Sequence, residues 1–494
     1  MKKMEIERRF LLYPCSMKRF LKRLGIPYRT VKIEQFYLVA DEERVERYRK
    51  EADAYVKTLK KGAGLVREET EERISKEDFE KAREHNRGGV IRKVRRIFEY
   101  GGHIYELDSF KGVLKGLNIL EIEFASEKEA HSFRLPESFA AILVAEVTDD
   151  RTFSNGSLSR LGHIPPIQTE LSTILGKIDA RESFLKASTV IELAPYESGA
   201  HAAKAIFYTL LRSVEANKEA ILSGDEDPER LHQLRVAMRK LRALLSQMAP
   251  LFDESWRMMH KERLAALMRR TGRKRDIDVY LMEMPRYRSL IPKTLHHGLQ
   301  KLERYLQRQL QQESRELASF LRSESFAEEM RILFRFATTE DGEGLGKEAR
   351  TPIIVSVAKA LRRRYRKVLK KGSSIDAHSP AHSYHMLRID VKKLRYMMEF
   401  FSSILQPEAY RTMLKKLKTI QSILGAHQDL DVQREHLGEF ARIPELHTQE
   451  TVAAIEALRE TMAKIERQKR REFREAFEEF AETKTVFETM ICKF

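Results

Sequence analysis

The apolar and polar positions of this chain follow two different periods, one in each part. Residues 1–155 contain short runs rich in β-branched and aromatic residues, such as Ile91–Phe98 and Ile119–Phe124, in which apolar and charged positions often alternate. A period of two predicts strands that bury one face. Glycine pairs such as Gly101-Gly102 separate several runs and predict turns. This part of the chain is therefore predicted to form a sheet.

Three helical interruptions are predicted within the strand-rich part. They cover Ser16–Leu24, Lys76–Glu84 and Glu127–Ser132. Ser75 stands ahead of the second helix with an acidic residue three positions later, which is the form of a capping box.

Beyond about Pro195 the apolar positions recur with the helical period. Glycine and proline predict helix breaks at Gly224–Pro228, Pro250–Asp253, Pro285–Pro292, Gly342–Gly346, Gly372–Pro380 and Pro407. Residues 161–195 form a junction in which a short helix is predicted within Glu170–Leu185. The chain is thus predicted to be an α+β multidomain protein. Its strand domain spans residues 1–160, and its helical domain, residues 196–494, consists of two repeats at about 196–345 and 346–494.

The balance of charged residues indicates which kinds of molecule the chain could bind. Lysine and arginine exceed aspartate and glutamate by 17 in the 494 residues. Residues 1–160 hold 33 basic and 28 acidic residues, so most of the positive excess lies beyond them. Such a charge favours polyanionic partners, namely nucleic acid, an anionic membrane or polyphosphate.

Cysteine content and hydropathy indicate the compartment. The two cysteines, Cys15 and Cys492, lie at opposite ends of the sequence, which excludes a disulfide framework and a zinc knuckle. The first residues form no apolar signal core, and no stretch of 18 apolar residues occurs. We therefore expect a cytoplasmic protein, which polyphosphate binding would associate with polyphosphate granules.

In the strand-rich part, charged residues recur two positions apart and so share one face of each strand. They are Glu5, Glu7, Arg9, Arg47, Arg49, Lys60, Arg67, Glu69, Glu71, Lys93, Arg95, Glu106, Asp108, Glu121 and Glu123. If the apolar face packs against helices, these charges point inward. Carboxylates would then hold Mg²⁺ or Mn²⁺, and the cations would neutralise phosphate. The same alternation is also typical of the solvated face of an antiparallel sheet.

Residues 1–160 resemble the CYTH domains, the triphosphate tunnel metalloenzymes. Glu5-Ile6-Glu7-Arg8-Arg9 is similar to their ExExK motif, with Arg9 in place of the lysine. The match continues in order through Thr58-Leu59-Lys60, Arg67-Glu68-Glu69-Thr70-Glu71, Lys93-Val94-Arg95, Glu106-Leu107-Asp108, Gly116-Leu117, Glu121-Ile122-Glu123, Glu146-Val147-Thr148 and Arg151-Thr152-Phe153. The resemblance implies an eight-stranded antiparallel β-tunnel barrel.

The same resemblance implies residue roles. It implies that Glu5, Glu7 and Arg9 are catalytic. It implies a Mg²⁺ or Mn²⁺ site formed by Glu5, Glu7, Glu121, Glu123 and Asp108, with Glu69 and Glu71 as further tunnel residues. It implies triphosphate binding by Arg47, Arg49, Lys60, Lys93, Arg95 and Arg151. Because arginine is a planar fork and lysine a point charge, Arg9 would position its ligand differently from the family's lysine.

The helical part contains an internal duplication. His232–Arg242 and His385–Arg395 are similar and lie 153 positions apart, and Arg275–Val279 and Gln428–Val432 keep that offset. An unchanged spacing points to duplication of a unit of several helices.

Each copy of the first motif places cations along one side of a helix. The first row is His232, Arg235, Arg239 and Arg242, and the second is His385, Arg388, Lys392 and Arg395. We call them the first rail and the second rail. Each is about 15 Å long at roughly 1.5 Å rise per residue, which suits a linear polyanion. A solvated face of an amphipathic helix is the alternative.

The Asp-x-Asp pairs Asp276/Asp278 and Asp429/Asp431 follow Gly272 and Gly425. We expect them to cap helices and to pair with rail arginines, with metal binding as the alternative.

These motifs resemble the CHAD domain over about residues 197–494. The opening motif is Asp227–Arg242, and the late motif is Leu424–Val432, which contains His427. The resemblance implies two pseudo-symmetric helical bundles around a groove that binds inorganic polyphosphate, with the two rails and His427 as ligands. Lys274 stands in the first copy where His427 stands in the second.

The leading hypothesis is thus an enzyme, a metal-dependent hydrolase of inorganic triphosphate or of a related short or organic triphosphate, joined to a polyphosphate-binding domain. A non-catalytic polyphosphate binder and a class IV-type adenylate cyclase are the alternatives. No residue signals adenine recognition, and the rails lack the interleaved aromatic residues typical of single-strand nucleic-acid binding.

Overall fold

The computed structural model describes residues 6–40, 44–61, 68–167, 169–340, 342–376 and 378–492. Glu5 and Arg67 lie outside these residues, and so do the side chains of Lys60 and Glu69. The roles predicted for them remain predictions.

The N-terminal part is one antiparallel sheet. Its strands are β1 Ile6–Leu12, β2 Arg29–Ala40, β3 Arg44–Glu51, β4 Ala54–Lys61, β5 Glu68–Arg73, β6 Ile91–Tyr100, β7 His103–Phe110, β8 Asn118–Phe124 and β9 Leu143–Glu146. Their order is β5-β4-β3-β2-β6-β7-β8-β1-β9. The fold class is confirmed, but nine strands replace the expected eight, because the short β9 adds to β1 by pairing Phe10 with Glu146. In the described ranges the sheet is not closed and ends at β5 and β9.

Small helices cover the outer face of the sheet. They are α1 Met17–Arg23, α2 Lys76–Glu84, α3 Glu127–Ser132, α4 Glu137–Ala140 and α5 Asn155–Leu161. The three predicted interruptions are confirmed, and the Ser75 hydroxyl accepts from the Asp78 amide as the capping motif predicts. The Phe79 ring of α2 packs 5.2 Å from Phe36 of β2. Because the apolar face is covered in this way, the alternate residues of each strand turn to the other side.

Residues from Gly199 onward are helical. The helices are α7 Gly199–Leu222, α8 Pro228–Gln247, α9 Glu254–Arg270, α10 Gly272–Ser289, α11 His296–Leu321, α12 Glu324–Thr338, α13 Ile353–Gly372, α14 Ala381–Phe400, α15 Pro407–Phe440, α16 Gln449–Ala481 and α17 Lys484–Cys492. Helices α14, α15 and α16 each begin 153 residues after α8, α9 and α11 respectively. The spacing of the sequence repeat is therefore also the spacing of the helices.

The predicted break at Pro285–Pro292 is confirmed between α10 and α11, but it begins after Pro285 itself. Pro285 lies inside α10, which continues to Ser289. Proline removes one backbone hydrogen bond and disfavours a helix interior, but its neighbours Met284 and Tyr287 are both fully buried. Their burial holds the helix together across the proline.

The junction packs on both parts of the chain. It holds α6, Leu171–Asp179, within the predicted helical stretch. The Ala187 amide donates to Gln233 of α8 and the Leu193 amide to Ser403 beside α14. Towards the sheet, the Tyr196 ring lies 6.5 Å from Phe153. The junction is thus a packed segment rather than a free linker.

None of the helices that the structure describes combines the length and apolar character needed to span a lipid bilayer.

Candidate functional site: a charged sheet face and two basic helices

The strand register places the predicted charged residues on the same, inner side of the sheet. Glu7 lies opposite Glu123, and Arg9 lies opposite Glu121. The face continues with Glu106 beside Glu121 and Asp108 beside Arg95. It ends with Thr58 between Arg47 and Glu71. We call this side of the sheet the charged face. Its members are Glu7, Arg9, Arg47, Arg49, Glu71, Lys93, Arg95, Glu106, Asp108, Glu121 and Glu123.

A buried ion cluster occupies the middle of the charged face. The Lys93 ammonium donates to Asp108 Oδ2 at 2.5 Å. Arg95 donates to both oxygens of Asp108, at 2.8 and 2.7 Å, and to Glu121 at 2.6 Å. It also pairs with Glu106. Lys93 is 3% exposed and Asp108 is fully buried, so this cluster is shielded from solvent.

The cations and carboxylates of the cluster stabilise each other's charged forms. Burial alone would raise the pKa of Asp108, but Lys93 and Arg95 together lower it. Burial lowers the pKa of Lys93, and the attraction of Asp108 opposes that shift. Both oxygens of Asp108 accept hydrogen bonds from cations, so this carboxylate is engaged by Lys93 and Arg95.

The charges of the two arginines of β3 are neutralised less closely than those of Lys93 and Arg95. Arg47 and Arg49 share one carboxylate, Glu71, at 3.4 and 3.5 Å. Arg47 also donates to Thr58 Oγ1 at 3.1 Å. Burial and then the charge of Arg47 lower the pKa of Arg49. Arg49 also lies 3.8 Å from Glu51, so every carboxylate paired with these two arginines is more distant than those of the central cluster.

Tyr37 joins the charged face although the sequence analysis did not select it. Its hydroxyl accepts from the Gln35 amide at 2.8 Å. Burial raises its pKa to about 12, Arg47 and Arg49 lower it and Glu121 raises it. Glu121 stands three strands away from β2 in the sheet order. Tyr37 is therefore a further polar member of the charged face.

Glu7 and Glu123 are exposed carboxylates at the β1–β8 end of the face, and Glu71 is exposed beside Arg47 at the other end. Like charges directly opposite each other destabilise a sheet unless a cation lies between them, so the pair formed by Glu7 and Glu123 fits a divalent cation. The described residues contain no group of three or more His, Cys, Asp or Glu arranged to hold a metal. Glu5, the predicted third ligand, lies outside the described residues.

Two further predicted residues have distinct positions. The Arg9 guanidinium donates to the Thr148 carbonyl at 2.8 Å and lies 3.7 Å from Glu7, which fixes it at the β1 end of the face. Arg151 lies after β9 in a one-turn 3₁₀ helix, Arg151–Phe153, and is exposed. It is not part of a strand.

The two rails lie on α8 and α14, which pack against each other. The apolar residues behind them, including Leu234, Leu241, Leu387 and Leu394, are fully buried, as the helical period predicts. Arg239 forms no salt bridge within the described part of the chain. Its Nε atom is buried without a hydrogen-bond partner. The rails therefore present cations that the protein itself neutralises only in part.

Lys392 shows that the two rails meet. Burial, followed by repulsion from Arg388 and Arg239, lowers its pKa to about 8. Arg239 and Lys392 are equivalent positions of the two copies, 153 residues apart. Arg239 is thus near enough to Lys392 to oppose its protonation, and positive charge is concentrated between α8 and α14.

The three predicted histidines differ in environment. Burial and then Arg275 lower the pKa of His232. His385 is half-buried, with Nδ1 2.6 Å from Gln428 Oε1. His427 is 2% exposed and lies 3.1 Å from Glu466, with its ring 4.9 Å from that of Tyr384. His232 and His385 thus remain at the rails, while His427 faces an internal carboxylate.

The Asp-x-Asp motifs do not cap helices. Asp276 lies inside α10, and Asp429 lies in the middle of α15, which runs through Gly425 without a break. The predicted pairing with rail arginines is observed for Arg388 and Asp429 at 3.2 Å. Arg275, beside Asp276, adds a half-buried cation at the first rail that the sequence analysis did not select.

Both parts of the chain are similar in sequence to known proteins. The CHAD domain family model matches residues 205–438. The N-terminal part is 33% identical over 159 residues to the inorganic triphosphatase of Nitrosomonas europaea, covering 31% of this chain and 96% of that protein.

Solved structures resemble the same two parts. A crystal structure of an inorganic triphosphatase is 30% identical and covers 32% of this chain and 95% of its own, with a TM-score of 0.25. The CHAD domain of the plant Ricinus communis is 24% identical and covers 60% of this chain and 97% of its own, with a TM-score of 0.49.

The N-terminal match covers 96% of the triphosphatase at 33% identity. The motifs on the charged face support the same relationship, because they occur in the order expected for this family. The chain therefore belongs, through its N-terminal part, to the CYTH family of that triphosphatase and carries a CHAD domain at residues 205–438.

Proposed function

We propose that the charged face hydrolyses inorganic triphosphate, or a related short phosphate, with Mg²⁺ or Mn²⁺, and that the CHAD domain binds inorganic polyphosphate. The observation that carries the first part is the convergence of arginine, lysine and glutamate on the inner side of a sheet whose outer side is covered by helices. The sequence identity with an inorganic triphosphatase over nearly its whole length supports the same reaction.

Charge compensation assigns roles along the face. Lys93 and Arg95 are already neutralised by Asp108, Glu106 and Glu121, so they hold the carboxylates in place. Arg47 and Arg49 have only longer contacts with carboxylates, Glu71 at 3.4 and 3.5 Å and Glu51 at 3.8 Å, and would turn to phosphate oxygens more readily. The guanidinium fork suits such oxygens because it can donate two parallel hydrogen bonds.

Glu7 and Glu123 would hold the metal, with Glu5 as a third ligand. A bound Mg²⁺ or Mn²⁺ would neutralise charge on the phosphates and orient water. Arg9 lies at the same end and would contact the phosphate nearest these carboxylates. The surrounding cations would stabilise negative charge on the transferred phosphoryl group.

The rails support the second part of the proposal. Two rows of partly buried cations meet at Arg239 and Lys392, and a linear polyanion would neutralise both at once. Release of counterions would add to affinity and make binding weaken as salt rises.

Phosphate release tests the catalytic proposal. Purified full-length protein is expected to release phosphate from tripolyphosphate with Mg²⁺ or Mn²⁺ and to lose that activity in excess EDTA. ATP, thiamine triphosphate and long-chain polyphosphate in parallel would define the substrate. Absence of release with either metal, while polyphosphate still binds, would favour the non-catalytic binder.

The environment of Lys392 predicts a pH dependence of polyphosphate binding. Arg388 and Arg395 on α14 and Arg239 on α8 oppose its protonation, and Asp429 on α15 favours it. Below pH 8 the amine is charged and attracts phosphate. Above pH 8 it becomes neutral, so affinity should fall by about tenfold from pH 7 to pH 9.5.

Titration calorimetry at constant ionic strength would measure this dependence. Lys392→Arg keeps its charge over the whole range and should flatten the profile, whereas Lys415→Arg, on the exposed side of α15, should not. An unchanged pH profile in Lys392→Arg would show that another group is responsible.

A further inference from the structure

Five arginines line a groove of about 790 Å³ between α15 and α16. They are Arg434, Arg467, Arg470, Arg471 and Arg474, and we call this surface the arginine groove. None of them belongs to the rails or to the motifs that the sequence analysis selected. Only α15 and α16 line it, so it is a separate surface of the second repeat.

The floor of the groove is a rigid ion network. Glu466 accepts from Arg434 at 2.9 Å and Arg470 at 3.1 Å, and lies 3.1 Å from His427. The contact with His427, followed by that with Arg470, lowers the pKa of Glu466 to about 2 against the effect of burial. Arg470 also lies over the Tyr384 ring, 5.2 Å from its centre. The buried His427 therefore helps to hold the floor of the groove.

The arginines of the groove wall differ from those of the floor in exposure and in ion pairing. Arg467, Arg471 and Arg474 are exposed and have no ion pair within the described residues. Their spacing of four and three residues places them on one face of α16, over about 10 Å. Glu475 and Glu478 also line the groove, towards its C-terminal end. An anion is thus favoured along the three arginines and disfavoured beyond them.

The first repeat lacks this surface. Glu313 is the equivalent of Glu466 at the offset of 153, and both are buried, so the two helices correspond here. Leu317 and Leu321 stand where Arg470 and Arg474 stand, and both are buried. In the first repeat this stripe packs against α7 and α12. The second repeat thus has cations, the part-buried Arg470 and the exposed Arg474, at two positions that are buried in the first repeat.

We propose that the arginine groove is a second binding site for condensed phosphate chains, separate from the rails; this rests on the polyphosphate binding proposed above. Guanidinium groups bind phosphate oxygens in pairs and suit a chain of closely spaced anions. Base stacking has no platform here, because the nearby Tyr384 ring is buried beneath Arg470. The site favours condensed phosphate over single-stranded nucleic acid for that reason.

Substitution in the full-length chain tests this site. Arg467→Gln, Arg471→Gln and Arg474→Gln together should weaken binding of end-labelled long-chain polyphosphate by about tenfold at fixed ionic strength. Arg411→Gln, Lys415→Gln and Lys418→Gln form the matched control, since they remove the same charge at the same spacing from exposed positions of α15. The control should change affinity by less than about twofold.

A rail variant separates this proposal from the one on which it rests. Arg239→Gln with Lys392→Gln should weaken binding on its own, and adding the groove substitutions should weaken it further. If the rail variant alone has no effect but the groove variant does, the rail proposal fails and the groove stands. If the groove variant matches its control, or loses affinity for single-stranded RNA while polyphosphate binding is unchanged, the groove proposal fails. Tripolyphosphate hydrolysis should be unaffected by the groove substitutions.

Discussion

Replacing Glu7 or Glu123 by glutamine is expected to reduce metal-dependent phosphate release by roughly 100-fold or more, because a hard cation loses a charged ligand. Glu123→Gln should leave the free energy of unfolding unaltered or slightly higher, whereas Glu7→Gln also removes the ion pair with Arg9. The two carboxylates oppose each other across β1 and β8, and removing one relieves their repulsion. The rate of phosphate release should therefore fall without a matching loss of stability. Initial rates at several Mn²⁺ concentrations, together with urea unfolding, measure both quantities.

Glu84→Gln is the matched control for this experiment. Glu84 is exposed at the end of α2, which covers the outer face of the sheet. Its substitution should leave the rate and its metal dependence unchanged. Wild-type metal dependence in both Glu7→Gln and Glu123→Gln would show that the metal site proposed on the charged face is wrong.

Replacing Asp108 by alanine is expected to destabilise the N-terminal part by about 3–5 kcal/mol, since it leaves buried cations without a partner. Lys93 is 3% exposed and donates to Asp108 at 2.5 Å, and Arg95 donates to both of its oxygens. Activity should fall as well, because Arg95 also positions Glu121. Thermal unfolding of the full-length protein measures the first effect and initial rates measure the second.

A double substitution distinguishes charge from packing in this cluster. Lys93→Met with Asp108→Ala removes one buried charge of each sign and should recover part of the stability lost in Asp108→Ala alone. An additive loss in the double variant would show that the pair does not interact in the folded protein.

The sequence predicted which residues share the charged face, because the period of two is local to each strand. It did not predict the ion pairs, since these depend on strand order. Arg95 and Glu121 meet because β7 lies between β6 and β8. Tyr37 was missed because an aromatic residue in an alternating strand is typical of the apolar side. Its position between Gln35 and Arg47 becomes evident only from the register.

In the helical part, the constant offset predicted the duplication and the two rails, since it preserves both motifs and the helix length between them. The prediction of helix caps at the Asp-x-Asp motifs was wrong, because tertiary packing outweighed the local preference of glycine. Gly425 suggested a helix start before Asp429, yet a glycine costs a helix only about 1 kcal/mol. The buried residues around it, including Leu424 and Leu430, outweigh that cost in α15. The arginine groove was missed because its residues repeat no motif.

The packed junction limits how the two parts of the chain can cooperate. Lys240 donates to the Ala187 carbonyl at 2.9 Å, and a methyl group added at Gly116, beside β8, would come within 3.3 Å of Val355 in α13. The separation between sheet and helices is thus set by side-chain packing instead of by a flexible tether. A phosphate chain bound by the helices, as proposed, would therefore reach the charged face only if its own length spans the distance between the two sites.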